Sequence, residues 1–429
     1  MSRDEGVLVS GQAVQSEDES IFGNTDRLGS PLPAGVSLIF VEIDWQTGVC
    51  RFVRSDGKEA FIPDAALSGA RNDVIVKSTY FMLANRIVLE TDRGDVIGAE
   101  LPTLQSRSPI NGRQVIYLDQ KDWSTLANAI HNPGRIASVG EREAAETLIE
   151  LVLAKKVILP LSSAHMAETC KWSDNERRYR LALTIAQLSG GWQLQDPLTV
   201  RRSELQRSLE NRYSDKIRAV EPEVFTLAPN AIHSSRTGPK DWGDDPLPRD
   251  MQLAADAMTS ISSHLSVMLG REPVQQGETP QWVEKFQFIT DWLAGQERGS
   301  HRKRLSTDVY FLDDVRKEVA VAAQAAGLDV DQLHLWIHGG WRDDLVQMPC
   351  LGLYREVLHE KQVNGGTAWK GNDLTDLIYL TCAAGYADHI VGERSAISQM
   401  RQSNRRLGRP DNLYRNLHEL ISSGALNGA

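Results

Sequence analysis

Short apolar runs alternate with polar turns between Ser37 and Pro102. The runs are SLIFVEID, VCRFV, EAFIP, DVIVK, RIVLE and DVIGAEL, and the segments QTG, SDGK, RND and DRGD separate them. Brief runs rich in β-branched and apolar residues, joined by turns of this length, are typical of neighbouring antiparallel strands. The pattern predicts a small antiparallel β-barrel or sandwich over residues 34–104.

After residue 112 the pattern changes to strands that alternate with helices. A buried strand, QVIYLD, precedes two helical segments, KDWSTLANAI and EREAAETLIELVLAKK, and a second strand, VILPL, follows them. This β-α-β order predicts a parallel sheet with a right-handed crossover. Ser162 or Ser163 is placed to cap the next helix, because a serine side chain accepts a hydrogen bond from the free N–H groups of the first turn.

Residues 199–348 have the periodicity and composition of helices, with one break rich in Pro, Gly and Asp at 238–248. The earlier pattern resumes at Asp373 with the helical segment DLTDLIYLTCAAG, a short strand HIV and a basic helix. We therefore expect an α/β domain over residues 112–429, in which helices flank a parallel sheet and a helical insertion occupies 199–348. A chain of 429 residues also exceeds what one hydrophobic core usually serves.

Composition adds limits on location and redox chemistry. Hydrophobic residues make up 41% of the chain, and no apolar run approaches the roughly 18 residues that cross a bilayer. Residues 1–33 are polar and acidic, which predicts a flexible arm and not a secretory signal. We therefore expect a cytoplasmic protein without a membrane partner. Cys50, Cys170, Cys350 and Cys382 lack CxxC spacing, which favours buried free thiols over a zinc site or disulfides.

Acidic residues stand at predicted strand ends and in the first turns of predicted helices. They are Asp119, Glu168, Asp373, Asp376, Asp388 and Glu393. Each has an ordinary alternative on its own, as a helix cap, a solvated helix acid or a turn residue. Together they predict one group, because carboxylates in these positions converge at one edge of a parallel sheet.

Carboxylates in such a group suit the hard cations Mg²⁺ and Mn²⁺, and the absence of clustered His and Cys disfavours zinc. Such a metal would activate a water for in-line attack on a phosphodiester and stabilise the charged oxygens that form. The net charge of −10 excludes little, since a nucleic-acid binder needs only a local concentration of basic residues. The sequence thus favours phosphodiester hydrolysis.

Three motifs resemble those of the PIN-domain ribonuclease superfamily, in particular a bacterial PIN-like group with YLDQ-x-x-W and ND-x-x-D motifs. Here they are YLDQKDW from Tyr117, NDLTD from Asn372 and YADHIVGE from Tyr386. The resemblance covers about 112–197 and 349–405. It implies a PIN-like fold and a Mg- or Mn-dependent endoribonuclease, with Asp119, Glu168, Asp376 and Glu393 as catalytic metal ligands and Asp373 and Asp388 as supporting acids. Glu393 departs from the pattern, because many PIN enzymes have Asp there.

Basic and aromatic residues near these acids are candidates for substrate contact. Arginines follow the last acid at Arg394, Arg401, Arg405, Arg406, Arg409 and Arg415, either as a phosphate-binding face or as a solvated helix. The rings of Trp123, Trp172 and Trp369 are close in sequence to the acids, where packing is favoured over stacking on RNA bases. His165 is interpreted as a structural histidine in preference to a phosphate donor.

The expected substrate is RNA, either tRNA or mRNA, and analogy suggests a role as a toxin or antiphage defence effector. Two alternatives stay open: an inactive PIN-like scaffold that binds RNA or protein, and a flap-type DNA nuclease. A haloacid-dehalogenase-type phosphatase is disfavoured, because Lys121 occupies the place of its second Asp.

The predicted N-terminal β domain leaves two roles open. Its segment 47–67 resembles the cold-shock type of barrel, but the paired aromatic strands with which that family binds nucleic acid are missing. The domain is therefore either a nucleic-acid module or a structural or dimerising one. A second copy of the chain or a regulatory partner is expected to bind through this domain or the helical insertion.

Overall fold

Six antiparallel strands form a sheet in the N-terminal part of the chain. They are β1 Leu38–Asp44, β2 Val49–Arg54, β3 Glu59–Ile62, β4 Ile75–Phe81, β5 Arg86–Thr91 and β6 Val96–Glu100, in the order β3-β2-β1-β4-β5-β6. The computed structural model describes residues 34–63, 74–101, 110–215, 219–228, 230–233, 249–270, 281–297 and 299–427. The predicted arm at 1–33 and the break at 238–248 lie outside these ranges.

This sheet is open, which corrects the expectation of a barrel or a two-layered sandwich. In the described residues its edge strands, β3 and β6, do not pair with each other. Alternate residues of the central strands are buried, as the period-two pattern predicts for a sheet with one face against a core. The antiparallel arrangement itself was predicted correctly from the turns between the strands.

From Gln114 to Tyr213, three short strands are interspersed with five helices. They are β7 Gln114–Leu118, α1 Gln120–His131, α2 Val139–Leu153, β8 Val157–Ile158, α3 Ser163–Thr169, α4 Asn175–Ser189, β9 Gln193–Leu194 and α5 Pro197–Tyr213. Next come β10 Phe225–Thr226, α6 Arg249–Leu269, α7 Gln281–Ala294, α8 Ser300–Asp314, α9 Arg316–Ala326, α10 Val330–Leu335 and α11 Trp341–Gln347. The chain then forms α12 Pro349–Val363, α13 Asp373–Tyr386, β11 His389–Val391, α14 Arg394–Leu407, β12 Leu413–Tyr414 and α15 Leu417–Ser422.

The second sheet is parallel and has the order β12-β11-β7-β8. Its central strand β7 is buried along nearly its whole length, which explains why the sequence there is continuously apolar. This confirms the predicted α/β core with a parallel sheet. Because β7 and β11 are neighbours, the residues that follow them meet at one edge.

Helices of the predicted insertion contact the N-terminal sheet and the helices beside the parallel sheet. In the N-terminal sheet the Trp45 indole donates to Ser78 Oγ at 2.6 Å, and Ser78 is hydrogen-bonded at 3.0 Å to Ser262 on α6. On the other side of the molecule, the buried Glu204 on α5 accepts bonds from Cys350 N at 2.6 Å and from the Tyr386 hydroxyl at 2.7 Å. The helical segment therefore joins the core of the protein, and it begins with α5, slightly before residue 199.

All four cysteines are buried free thiols, as expected. Burial raises the pKa of the Cys50 thiol to about 12, so this group is an inert part of the sheet core. Within the described residues, no helix combines the length and apolar character needed to cross a membrane.

Candidate active site

Asp119 and Glu393 lie side by side because their strands are neighbours. Asp119 directly follows β7, and its backbone N–H donates to Val391 O, the last residue of β11, at 2.9 Å. The Asp119 carboxylate caps α1 by accepting from Gln120 N at 2.8 Å, and it also accepts from the backbone N–H of Glu393. Glu393 opens α14, and its exposed side chain makes no capping bond. Both acids thus stand at the carboxyl edge of the parallel sheet.

Glu168 reaches the same edge because α3 is fixed to β7. Ser162 and His165 form a reciprocal capping box at the start of α3. The buried His165 ring accepts from Ser162 N at 3.1 Å through Nδ1 and donates to Leu118 O at 2.8 Å through Nε2. Burial lowers the pKa of His165 to about 4, so the ring is neutral and structural, as the sequence favoured.

Asp376 lies opposite Glu168, on α13. The Tyr379 hydroxyl is hydrogen-bonded to Ser163 Oγ, which ties α13 to α3. One carboxyl group of the Asp376–Glu168 pair donates a hydrogen bond to the other. Burial, followed by the charges of Glu168 and Asp119, raises the pKa of Asp376 to about 7. Burial and the Asp119 charge also raise the pKa of Glu168. The pair therefore shares a proton near neutral pH.

A cavity of about 610 Å³ collects these acids from three distant segments of the chain. Asp119, Glu168, Asp373, Asp376 and Glu393 all line it. Beneath it, Asp119, Glu168 and Asp376 border a cleft of about 10 Å³, which is close to the least volume that holds one water molecule. Burial raises the pKa of Asp119, and the nearby charge of Glu393 raises it further. The cavity wall is thus strongly electronegative.

Two of the predicted supporting acids have different positions. Asp373 lines the cavity, but it accepts from Lys370 N at 2.9 Å and forms an ion pair with Lys361 at 3.4 Å. Asp388 does not lie where the sequence analysis predicted, because its carboxylate accepts from Val115 N at 2.7 Å, near the start of β7. Asp119 is four residues further along the chain than Val115, about 13 Å along the strand, so Asp388 lies at the opposite edge of the sheet.

The donor set fits a hard divalent cation in its chemistry. The four predicted ligand carboxylates face one cavity. Burial and mutual repulsion raise the pKa values of Asp119, Glu168 and Asp376. A cation in place of the shared proton would lower these pKa values again. Among the described residues, however, no three Asp, Glu, His or Cys side chains converge tightly enough to hold one metal ion. Side-chain rotation, most simply of the exposed Glu393, is needed to close such a site.

Arginines of α14 and of the loop that follows it mostly hold the fold together. Arg401 pairs with Asp411 at 3.1 Å and Glu419 at 2.9 Å, Arg406 pairs with Glu360, and Arg409 donates to the carbonyl oxygens of Pro349 and Met348. Arg394 and Arg405 are exposed but do not line the cavity. Arg401 and Arg406 do not line the cavity either, so contact of these arginines with a substrate stays a prediction.

Lysines supply the positive charge that does line the cavity. Lys121, Lys361 and Lys370 all face it, and Lys171 lies nearby with its ammonium group 2.9 Å from Asn372 Oδ1. The sequence analysis did not single out these lysines as candidate phosphate contacts. Lys121 and Lys370 are each close in sequence to a predicted acid, and this spacing was the available signal.

The three tryptophans separate into two buried rings and one accessible ring. Trp123 is fully buried, and Trp369 is buried with its indole N–H donating to Thr290 at 2.9 Å. Trp172 is half-buried and lines the cavity. Packing is thus confirmed for Trp123 and Trp369, whereas Trp172 presents a surface to the site.

Asp122 is a buried acid that the sequence analysis did not single out. It is completely buried on α1, and among the residues that the structure describes neither carboxyl oxygen has a hydrogen-bond partner. Burial, reinforced by the charge of Asp119, raises its pKa to about 8. The signal in the sequence was its position one turn before Leu126, on the apolar face of the helix.

Comparison of the chain with known protein families, with curated proteins and with solved structures finds no match. The functional argument therefore depends on the geometry of the site and on the resemblance of its sequence motifs.

Proposed function

We propose that the protein is a metal-dependent endoribonuclease of the PIN type, which hydrolyses RNA phosphodiester bonds. One observation carries the proposal: Asp119, Glu168, Asp376 and Glu393, from three distant segments, line one cavity at the carboxyl edge of a parallel sheet. This edge is where α/β proteins bind ligands. The resemblance of the surrounding motifs to PIN ribonucleases supports the same assignment.

The four carboxylates are the residues that would hold Mg²⁺ or Mn²⁺. When bound, such an ion supplies positive charge that lowers the pKa of water and neutralises the oxygens of a phosphodiester. Asp119 is fixed by its bonds to two backbone N–H groups, so it gives the site a rigid anchor. Asp376 and Glu168 must release the proton that they share before both can act as ligands.

Lysines on the cavity wall suit a polyanionic substrate. Lys121 and Lys370 are exposed beside the acids and would contact phosphates, while Lys361 is held by Asp373. The basis for RNA over DNA is the resemblance to PIN ribonucleases.

Cleavage of labelled single-stranded RNA in Mn²⁺ tests the proposal. We expect cleavage by the unaltered protein and its loss in Asp119→Asn and Asp376→Asn. Asp388→Asn is the matched control, because an amide oxygen can still accept from Val115 N at the far edge of the sheet. Equal cleavage by all four proteins would refute the assignment, and faster cleavage of branched DNA would transfer it to the flap-type nucleases.

The spacing of the acids favours a second candidate, an inactive PIN-like scaffold that binds RNA. In the described part of the chain no three potential ligands converge on one point. A scaffold needs the cavity and its lysines but has no need of metal affinity. Binding of RNA without either cleavage or Mn²⁺ affinity would select this candidate.

A further inference from the structure

A second cavity adjoins the one that contains the acids. It has a volume of about 210 Å³, and Ser124 and Trp172 line both cavities. From Ser124 the second cavity follows α1 past Asn128 to His131 at its C-terminal end. Since α1 rises about 1.5 Å per residue, the cavity leads away from Asp119 along a helix of roughly 18 Å. It therefore offers a path for a chain-like ligand that leaves the acidic site.

Cationic groups without acidic partners border this second cavity. Arg135 and Arg177 are exposed, and neither forms an ion pair within the described residues. Arg180 is occupied by Glu176 at 2.7 Å, and Glu176 is further neutralised by Arg93 at 2.9 Å. Two guanidinium groups are thus available for phosphate oxygens, with which arginine makes bidentate bonds.

One further acid, Asp174, lines the cavity. Asp174 is committed to the start of α4, where it accepts from the backbone N–H groups of Glu176 and Arg177 at 3.1 Å each. Burial lowers the pKa of His131, which keeps that ring neutral. Asn128 and Asn132 contribute amides that can bond to the edges of bases.

Trp172 separates the two cavities and presents a flat apolar surface. Its ring is half-buried, and the Arg177 guanidinium lies 4.5 Å from the ring centroid. This stacking holds the ring and the cation together before any ligand binds. An aromatic ring beside free arginines is the combination that binds single-stranded nucleic acids, where bases stack and phosphates pair with cations.

We propose that this second cavity binds a nucleotide of a single-stranded RNA whose scissile phosphate occupies the acidic cavity. Trp172 is the stacking surface for the base, and Arg135 and Arg177 bind the flanking phosphates. The inference rests on the proposed function, because that function supplies RNA as the ligand. It adds a position at which the enzyme contacts the RNA chain away from the bond that is cut.

Binding can be measured apart from cleavage in the full-length Asp119→Asn/Asp376→Asn protein. These changes remove two of the proposed metal ligands and with them the reaction, and anisotropy of a labelled single-stranded RNA then reports affinity. In this background, Arg135→Ala and Arg177→Ala are each expected to reduce the slope of log affinity against log salt by about 0.7, the value for one phosphate contact on a single strand. Arg316→Ala is the control, because this exposed arginine on α9 lines neither cavity.

Trp172→Ala is expected to weaken RNA binding by about 5- to 100-fold, which corresponds to the loss of one stacked base. Trp172→Phe preserves an aromatic surface and is expected to retain most of the affinity, so it separates stacking from a loss of folding. Unchanged affinity and salt slope in the Arg135, Arg177 and Trp172 variants would overturn the inference, as would failure of the background protein to bind RNA.

The two proposals fail in different measurements. If the unaltered protein does not cleave RNA while the background protein binds it through Trp172 and the arginines, the nuclease assignment falls and this binding site stands. If cleavage is observed but these variants bind RNA as tightly as the background protein, the binding site falls and the nuclease assignment stands.

Discussion

Asp376 and Glu168, from helices far apart in the chain, share a hydrogen bond between their carboxyl groups. The bond needs a proton, and burial with mutual repulsion raises the pKa of Asp376 to about 7 so that it keeps one. Two buried acids in contact destabilise a fold whenever both are ionised. Such an arrangement is costly in the free protein and favourable when a cation takes the place of the proton.

Asp376→Asn is therefore expected to stabilise the metal-free protein at pH 8, where Asp376 would otherwise lose its proton. The midpoint of thermal unfolding should rise by a few degrees, at about 2–4 °C per kcal/mol. The gain should be smaller at pH 5 and should disappear below about pH 4, where an unfolded aspartate also keeps its proton. Mn²⁺ should raise the midpoint of the unaltered protein more than that of the variant. A lower midpoint for Asp376→Asn at both pH values would contradict the repulsion described here.

Asp122 predicts a second pH dependence, away from the proposed ligands. Its pKa of about 8 in the folded protein exceeds the value of about 3.9 in an unfolded chain. Between these values the unfolded chain loses the proton and the folded protein keeps it, so stability falls as pH rises, by up to about 1.4 kcal/mol per pH unit. Asp122→Asn should remove this loss.

Urea unfolding at pH 5 and pH 7 measures that effect. From pH 5 to pH 7, the free energy of unfolding should fall less in Asp122→Asn than in the unaltered protein. Asp331→Asn, at an exposed position on α10, should leave the difference unchanged. Parallel pH profiles for Asp122→Asn and the unaltered protein would show that Asp122 is ionised in the fold.

Lysines and arginines near the acids should respond differently to removal. Lys121→Ala and Lys370→Ala are expected to weaken RNA binding and to lower its salt slope by about 0.7 each. Arg401→Ala should leave RNA affinity unchanged but cost about 1 kcal/mol of stability, since Arg401 links α14 to Asp411 and Glu419. Anisotropy and urea unfolding on the same three variants make the comparison. Weaker RNA binding by Arg401→Ala alone would instead support a phosphate-binding face formed by the arginines.

The N-terminal sheet and the helices are expected to unfold together. The Tyr179 hydroxyl on α4 donates to Asp95 at 2.7 Å and lies 2.9 Å from Thr91, both in the sheet region. Calorimetry should give one transition, and Tyr179→Phe should reduce the free energy of unfolding by about 1–2 kcal/mol. Tyr414→Phe, at a half-buried site in the parallel sheet without a hydroxyl bond among those described, is the control. Two transitions, only one of them shifted, would mean that the sheet folds alone.

Local patterns in the sequence were sufficient to place Asp119 and Glu393. Each follows an apolar strand directly or by two residues, and the carboxyl ends of parallel strands share an edge. The same rule also explains the error at Asp388, which precedes β11 and therefore lies at the amino edge. The sequence analysis had grouped it with the other acids because it stands beside a strand, without regard to which end of that strand it occupies.

Contacts between distant elements were beyond the reach of the sequence pattern. The basic helix α14 predicted a charged face, but the acids that occupy Arg401 and Arg406 come from α12, α15 and the loop before β12. Alternation in the first sheet likewise predicted a buried face without indicating that α6 covers part of it. The hydrophobic periodicity of a helix or strand reveals which of its faces is buried, whereas the element that packs against that face depends on the whole fold.

Binding of Mn²⁺, followed by electron paramagnetic resonance, tests the central claim most directly. The account predicts that the free-ion signal decreases on addition of the unaltered protein and of Asp388→Asn, and that Asp119→Asn and Asp376→Asn each weaken binding by at least about tenfold. Equal loss of the free-ion signal with all four proteins, or no loss with any of them, would contradict a metal site formed by these carboxylates.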